Sequence, residues 1–133
     1  MNDKHWVDTN ILIYSVGDVV AKKTVAIQLL KVDAVISTQV VNEAVNVMHR
    51  KLKYDYAQIR GVIREILKRV ELVTVTDQTI FVALEMAEKY RYHYFDSLMI
   101  ASALGQRCHT LYSEDLQHGQ VIESCLRIIN PFV

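Results

Sequence analysis

A chain of 133 residues, 51% of them hydrophobic, has the material for one core of ordinary size, which excludes an intrinsically disordered protein. Its 15 Lys and Arg balance 15 Asp and Glu, so no global positive field is available to draw in a polyanion; a nucleic acid would have to find a local patch. Two cysteines, Cys108 and Cys125, exclude a disulfide framework and read as small core residues.

With only four glycines and one proline, the elements must be joined by short polar turns. Residues 4–7 read as a short opening strand. The spacing of Val20, Val25, Ala26, Leu29 and Leu30 predicts a helix over 19–31. Residues 34–36 form a second strand, and Ser37 or Thr38 caps a helix running to about residue 51. Asp55 starts another helix to residue 69, with Ile59, Val62, Ile63, Ile66 and Leu67 on its apolar side. A third strand covers 72–75. Thr76 or Asp77 then caps a helix to residue 90 whose apolar side carries Ile80, Phe81, Leu84 and Ala87. Residues 95–105 give a compact, mostly apolar helix ended by glycine. Residues 110–112 and 126–129 supply the fourth and fifth strands, the latter just before Pro131.

Short apolar strands alternating with amphipathic helices predict an α/β domain with a short, mostly parallel sheet covered on both faces, one domain over 1–133. The start of the chain lacks a basic segment leading into an apolar stretch, and no apolar run approaches the ~20 residues of a membrane span. The expectation is a reduced, cytoplasmic protein with no membrane association. In sheets of this kind ligands collect beyond the carboxyl ends of the strands, so residues just past strand ends are the candidates for chemistry.

Four acids stand out by position. Asp8 follows the first strand and Asp115 lies just past the fourth. Each alone is either an ordinary turn or helix-cap aspartate or a site residue. Glu43 stands early in the helix after the second strand, at the border of its apolar face, where it either reaches out to water or turns into a site. Asp96 shares a stripe with Met99, Ile100 and Ala103 in a helix apolar nearly all round. Such a helix is buried, so its acid must be capped, paired or metal-bound. Carboxylates converging at one place repel, and burial raises their energy further. A divalent cation resolves both problems, and with no His or Cys in the set, oxygen ligation favours Mg²⁺ or Mn²⁺ over zinc.

Taken together, Val7-Asp8-Thr9-Asn10-Ile11-Leu12, Asn42-Glu43, Phe95-Asp96-Ser97-Leu98-Met99-Ile100-Ala101 and Leu111-Tyr112-Ser113-Glu114-Asp115-Leu116 resemble, in order and spacing, the PIN-domain ribonucleases, in particular the VapC-type toxins of bacterial toxin–antitoxin pairs. The match spans nearly the whole chain. One departure concerns packing: Ser97 and Met99 stand where alanine and isoleucine are expected. The resemblance implies a three-layer α/β/α domain and an RNA-cleaving enzyme that hydrolyses phosphodiester bonds with a metal-activated water. It assigns metal-binding, catalytic roles to Asp8, Glu43, Asp96 and Asp115, and substrate-contacting or supporting roles to Asn10 and Ser113. It further implies an antitoxin partner and a homodimer.

Arg50, Lys51, Lys53, Arg60, Arg64, Lys68 and Arg69 give the central helices a basic bias that is either an RNA patch or a solvated face. Tyr90, Tyr92, Tyr94 and Phe95 form either a stacking platform for bases or a packed loop. The five histidines show no ligand spacing; His118, following Asp115, is read as the one closest to the proposed site, either a substrate contact or a surface loop residue. Two other readings compete: a silent PIN-like module that only binds RNA or a partner, and a phosphatase with Asp8 as nucleophile. The second lacks the second acid of an Asp-x-Asp pattern, since Asn10 stands there.

Overall fold

In the computed structural model, which describes residues 3–133, six strands form one sheet. They are β1 (His5–Val7), β2 (Ala34–Ser37), β3 (Glu71–Val73), β4 (Thr110–Tyr112), β5 (Val121–Ile122) and β6 (Leu126–Ile129), in the order β3-β2-β1-β4-β6-β5. Every pairing is parallel except that of β5 with β6. Six helices connect them: α1 (Thr9–Val16), α2 (Val20–Leu29), α3 (Thr38–Arg50), α4 (Tyr56–Leu67), α5 (Asp77–Tyr90) and α6 (Tyr94–Gly105).

The chain leaves β1 toward β2 and β3, then returns past β1 to β4. Right-handed crossovers therefore put α1 to α4 on one face and α5 and α6 on the other, giving the three-layer α/β/α arrangement the sequence predicts. Cover on both faces explains why successive residues of the central strands are buried alike: Trp6 and Val7 on β1, and all four residues of β2. Adjacent strands β1 and β4 run to opposite sides of the starting point, so the sheet switches direction between them. That is where an open crevice forms at the carboxyl edge.

Local chemistry sets most helix starts where expected. Ser37 caps α3 by accepting from the Val40 N–H, Asp55 forms a capping box with Gln58, and Thr76 one with Thr79. Several expectations change. Residues 9–16 fold into α1, which the sequence pattern does not announce, and the two-residue β5 is likewise new. On α5 the buried residues are Ala83 and Met86, whereas Ile80, Phe81 and Leu84 are exposed. Cys108 is a buried core residue as read, but Cys125 is exposed in the turn between β5 and β6. Among the described residues no helix is long and apolar enough to cross a membrane.

Helix α6 is buried over Ser97 to Ala103, and that packing fixes the direction from which Asp96 enters the crevice. Ile100 is fully buried in it. Ile100→Ala is expected to destabilise the protein by about 2–5 kcal/mol in chemical denaturation, because its neighbours cannot collapse fully into the vacated volume.

Candidate active site

Parallel pairing of β1 with β4 sets Val7 against Tyr112, and the ladder continues one step as the Asp8 N–H donates to the Tyr112 carbonyl at 3.0 Å. The next residues, Asp8 and Ser113, thus stand side by side at the switch point. The Ser113 hydroxyl donates to Asp8 Oδ2 at 2.7 Å, and the Thr9 N–H donates to Oδ1 at 2.5 Å. Asp8 is therefore also the cap of α1. It is only 5% exposed. Burial pushes its pKa from 3.8 up to about 6; the Ser113 and Thr9 hydrogen bonds oppose that rise, and the charges of Asp115 and Asp96 add to it.

Ser113 is itself fully buried, and its Oγ also accepts from the N–H groups of Asp115 and Leu116 at 3.2 and 3.3 Å. One hydroxyl thus shapes the turn carrying Asp115 and ties it to Asp8. Asp115 reaches the exposed rim, where the Asn10 amide donates to its Oδ2 at 2.6 Å.

Glu43 enters from α3, whose start is set by Ser37 at the end of β2. It is half-buried, and the Thr9 hydroxyl donates to its Oε1 at 3.0 Å. Burial raises its pKa, the Thr9 hydrogen bond opposes this, and the charge of Asp96 adds to it. Asp96 sits in the first turn of α6, half-buried. His93, not Asp96, caps that helix, so capping does not account for the acid. Burial raises the Asp96 pKa as well, with the His93 charge pulling it down and the Asp115 charge pushing it up. His93 is thus the histidine whose charge reaches these acids. His118 instead accepts from the Asn130 N–H at 2.9 Å, in the C-terminal segment.

Four carboxylates from four separate segments therefore share one electrostatic environment, graded from the buried Asp8 to the exposed Asp115. The salt bridges of the described residues lie elsewhere, joining Lys4 to Glu71, Lys22 to Glu114, Lys68 to Glu65 and Lys89 to Glu123. The donor set fits a hard divalent cation, being all oxygen and, among the described residues, joined in no salt bridge. Among the described residues no three His, Cys, Asp or Glu side chains already stand in position to grip one ion. A more apolar pocket of about 580 Å³, lined by Val16, Ile27, Leu30, Tyr54, Val62 and Ile66 among others, holds none of these acids. Chemistry rather than cavity size locates the site.

Sequence reasoning misses two supports. Thr9 bridges the site by giving its N–H to Asp8 and its hydroxyl to Glu43. Next to Asp115, Glu114 is held by the Tyr14 hydroxyl at 2.5 Å and by Lys22, which lies 3.2 Å from that hydroxyl and over the rings of Tyr14 and Phe132. Thr9 was legible as part of the Asp8 motif; nothing in the sequence links Glu114 to Lys22, 92 positions away.

Because the folded state holds the Asp8 proton more tightly than the unfolded chain, this group's contribution to stability falls as pH rises from about 4 to about 6, and the penalty is complete above that range. The rise in pKa corresponds to a penalty on the order of 3 kcal/mol. In chelator, Asp8→Asn is therefore expected to be more stable than the native chain at pH 8, by up to that amount, with the advantage vanishing near pH 4 in denaturant titrations.

The family model described as PIN domain matches residues 6–122. Among solved structures, a toxin–antitoxin complex from Klebsiella pneumoniae is similar with a TM-score of 0.74 and 18% identity, covering 96% of this chain and 98% of that one. VapBC2 from Rickettsia felis, bound to a DNA fragment from its promoter, gives 0.67 and 18% over 95% and 98% of the two chains. The VapC20 toxin of Mycobacterium tuberculosis, described as cleaving the sarcin–ricin loop, gives 0.63 and 18% over 84% and 92%. At such identities these likenesses establish the fold. No curated protein sequence matches the chain. With the family model covering most of its length, from the first strand through β5, the chain belongs to the PIN domain family.

Proposed function

We propose that this chain is a divalent-metal-dependent endoribonuclease, the toxin of a toxin–antitoxin pair. The observation that carries the reading is the set of carboxylates at the switch point, with Asp8 buried and none of the four joined in a salt bridge among the described residues. Such a cluster is unfavourable by itself and is stabilised by a cation. Membership of the PIN family and the toxin–antitoxin descriptions of similar structures support the same reading. A silent binding module has no need to bear the energy of a buried, unpaired carboxylate.

When bound, Mg²⁺ or Mn²⁺ supplies a lowered pKa for the attacking water and neutralises charge building on the phosphate. Asp8 and Asp96 would hold the ion directly, with Asp115 joining from the rim and Glu43 acting through a water. Ser113 and the Thr9 amide keep the Asp8 carboxylate in one orientation, so little ordering remains to be done when substrate arrives. Glu43, with its raised pKa, is suited to take a proton from the attacking water. Asn10 orients Asp115. The products would end in 5′-phosphate and 3′-hydroxyl.

Two surfaces bear on partners. The exposed Ile80, Phe81 and Leu84 of α5 are an apolar surface suited to a second copy of the chain. The apolar groove between α1 and α2 on one side and α4 on the other, about 580 Å³, suits an amphipathic antitoxin segment.

Purified protein with Mg²⁺ is expected to cut single-stranded RNA, and Asp96→Asn to lower the rate at least about 100-fold while melting as a folded protein. Unchanged cleavage by Asp96→Asn, or full activity in excess chelator, would overturn the assignment; folded native protein that binds RNA but never cuts it would favour the silent module.

A further inference from the structure

Beside the carboxylates, α3 and the start of α6 enclose a pocket of about 400 Å³ whose walls include Gln39, Asn42, Glu43, Val75, Phe95 and Leu98. Glu43 is both a wall of this pocket and one of the four acids, and Phe95 immediately precedes Asp96. The pocket therefore opens next to any phosphate held at the acids.

Its chemistry selects the kind of group it can take. Glu43 is the one charged side chain lining it, and it contains no Lys or Arg, so it is no place for a second phosphate. It offers an aromatic ring, aliphatic walls and two amides, a set that matches the flat apolar face and polar edge of a nucleobase. The walls are braced against each other: Gln39 Nε2 donates to the Phe95 carbonyl at 2.9 Å, linking α3 to α6. Asn42 is exposed, and its amide has no hydrogen-bond partner among the described residues.

Phe95 differs from the other aromatics of its segment. Tyr90 is engaged through its hydroxyl by Glu123, which contributes its carboxylate at 2.7 Å and its N–H at 2.9 Å. The Tyr92 hydroxyl meets Gln120 and the Gln117 N–H, and Tyr94 packs on a small core of Ala83, Leu98 and Ala101. Phe95 remains 53% exposed, its ring set between His93, stacked at 5.8 Å, and Tyr94, edge-on at 5.5 Å. The packed-loop reading thus holds for the three tyrosines and fails for Phe95. In a chain of zero net charge, affinity for RNA has to come from somewhere other than a global field, and a ring stacking on a base supplies it without a charge.

We propose that this pocket binds an unpaired nucleobase of single-stranded RNA adjacent to the phosphate at the carboxylates, stacked on Phe95 and hydrogen-bonded at its edge by the Asn42 amide. The inference rests on the ribonuclease reading and assigns it a site for recognising the nucleotide beside the cut.

The test is equilibrium binding of fluorescein-labelled single-stranded RNA to the full chain in chelator, where nothing is cut. A matching set of oligonucleotides carries one abasic position moved along the sequence. Phe95→Ala is expected to weaken binding about tenfold and Phe95→Tyr to preserve it. Asn42→Ala, on an exposed residue, should weaken it by a smaller factor. At one abasic position the native protein should lose the same factor as Phe95→Ala, and the variant should lose nothing more. Melting curves establish that each variant is folded; should Phe95→Ala not fold, Asn42→Ala against the abasic set decides alone. Native-like binding by the folded variants, or losses that add to the abasic loss at every position, would overturn the base site while leaving the nuclease intact. Failure of the native protein to bind any of these RNAs in chelator would also overturn the base site, which is argued to bind without a charge, while cleavage in Mg²⁺ decides the ribonuclease reading separately.

Discussion

A carboxylate that is nearly removed from water yet forms no salt bridge among the described residues is the constraint around which this molecule is arranged. Asp8 stands where the sheet changes direction, and its position there follows from the backbone: the β1–β4 ladder places it beside Ser113, and its own side chain starts α1. Both oxygens accept hydrogen bonds, which lessens the energetic penalty of burial without removing it, since the pKa remains raised to about 6. The same two hydrogen bonds fix orientation. The residue is thus held in one orientation, at some expense in stability, with no cationic side chain paired to it among the described residues.

The other three acids are arranged around that point by elements of unequal rigidity. Asp96 comes from the most completely buried helix and Glu43 from the second turn of α3, whereas Asp115 depends on a turn shaped by the Ser113 hydroxyl. That turn has no strand or helix to stiffen it, and the Tyr14–Lys22–Glu114 network takes over the task by anchoring the preceding residue to α1 and α2. Rigid elements supply the deeper carboxylates and a tethered turn supplies the exposed one.

The sheet was readable in the sequence because a parallel sheet covered on both sides demands short apolar runs, and these stand out between polar turns. Capping residues marked helix starts for the same reason: Ser37, Asp55 and Thr76 each satisfy otherwise unpaired N–H groups. Helix α1 was hidden because Ile11, Leu12 and Ile13 are contiguous, leaving no period, and its cap is the putting together of two roles in Asp8. On α5 the pattern pointed the wrong way because Ile80, Phe81 and Leu84 recur at helical spacing like a core face, whereas the smaller Ala83 and the flexible Met86 are the residues turned inward. The acids themselves were visible through their positions after strands and in a buried helix. Their supports were visible only in part: Asn10 and Ser113 were assigned such roles through the motifs that hold them, Thr9 lies in the Asp8 motif but nothing there marks its hydroxyl as a partner of Glu43, and the Lys22–Glu114 pairing exists only in three dimensions.

If the cluster is built for a cation, binding one must displace the proton that burial otherwise favours on Asp8. Calorimetric titration of Mn²⁺ into the native protein near pH 6, repeated in buffers of different ionisation enthalpy, counts that proton directly. The account predicts saturable binding with net proton release near pH 6, fading at pH 8, where Asp8 is already ionised. Absence of Mn²⁺ binding, or binding with no proton released at either pH, would contradict it.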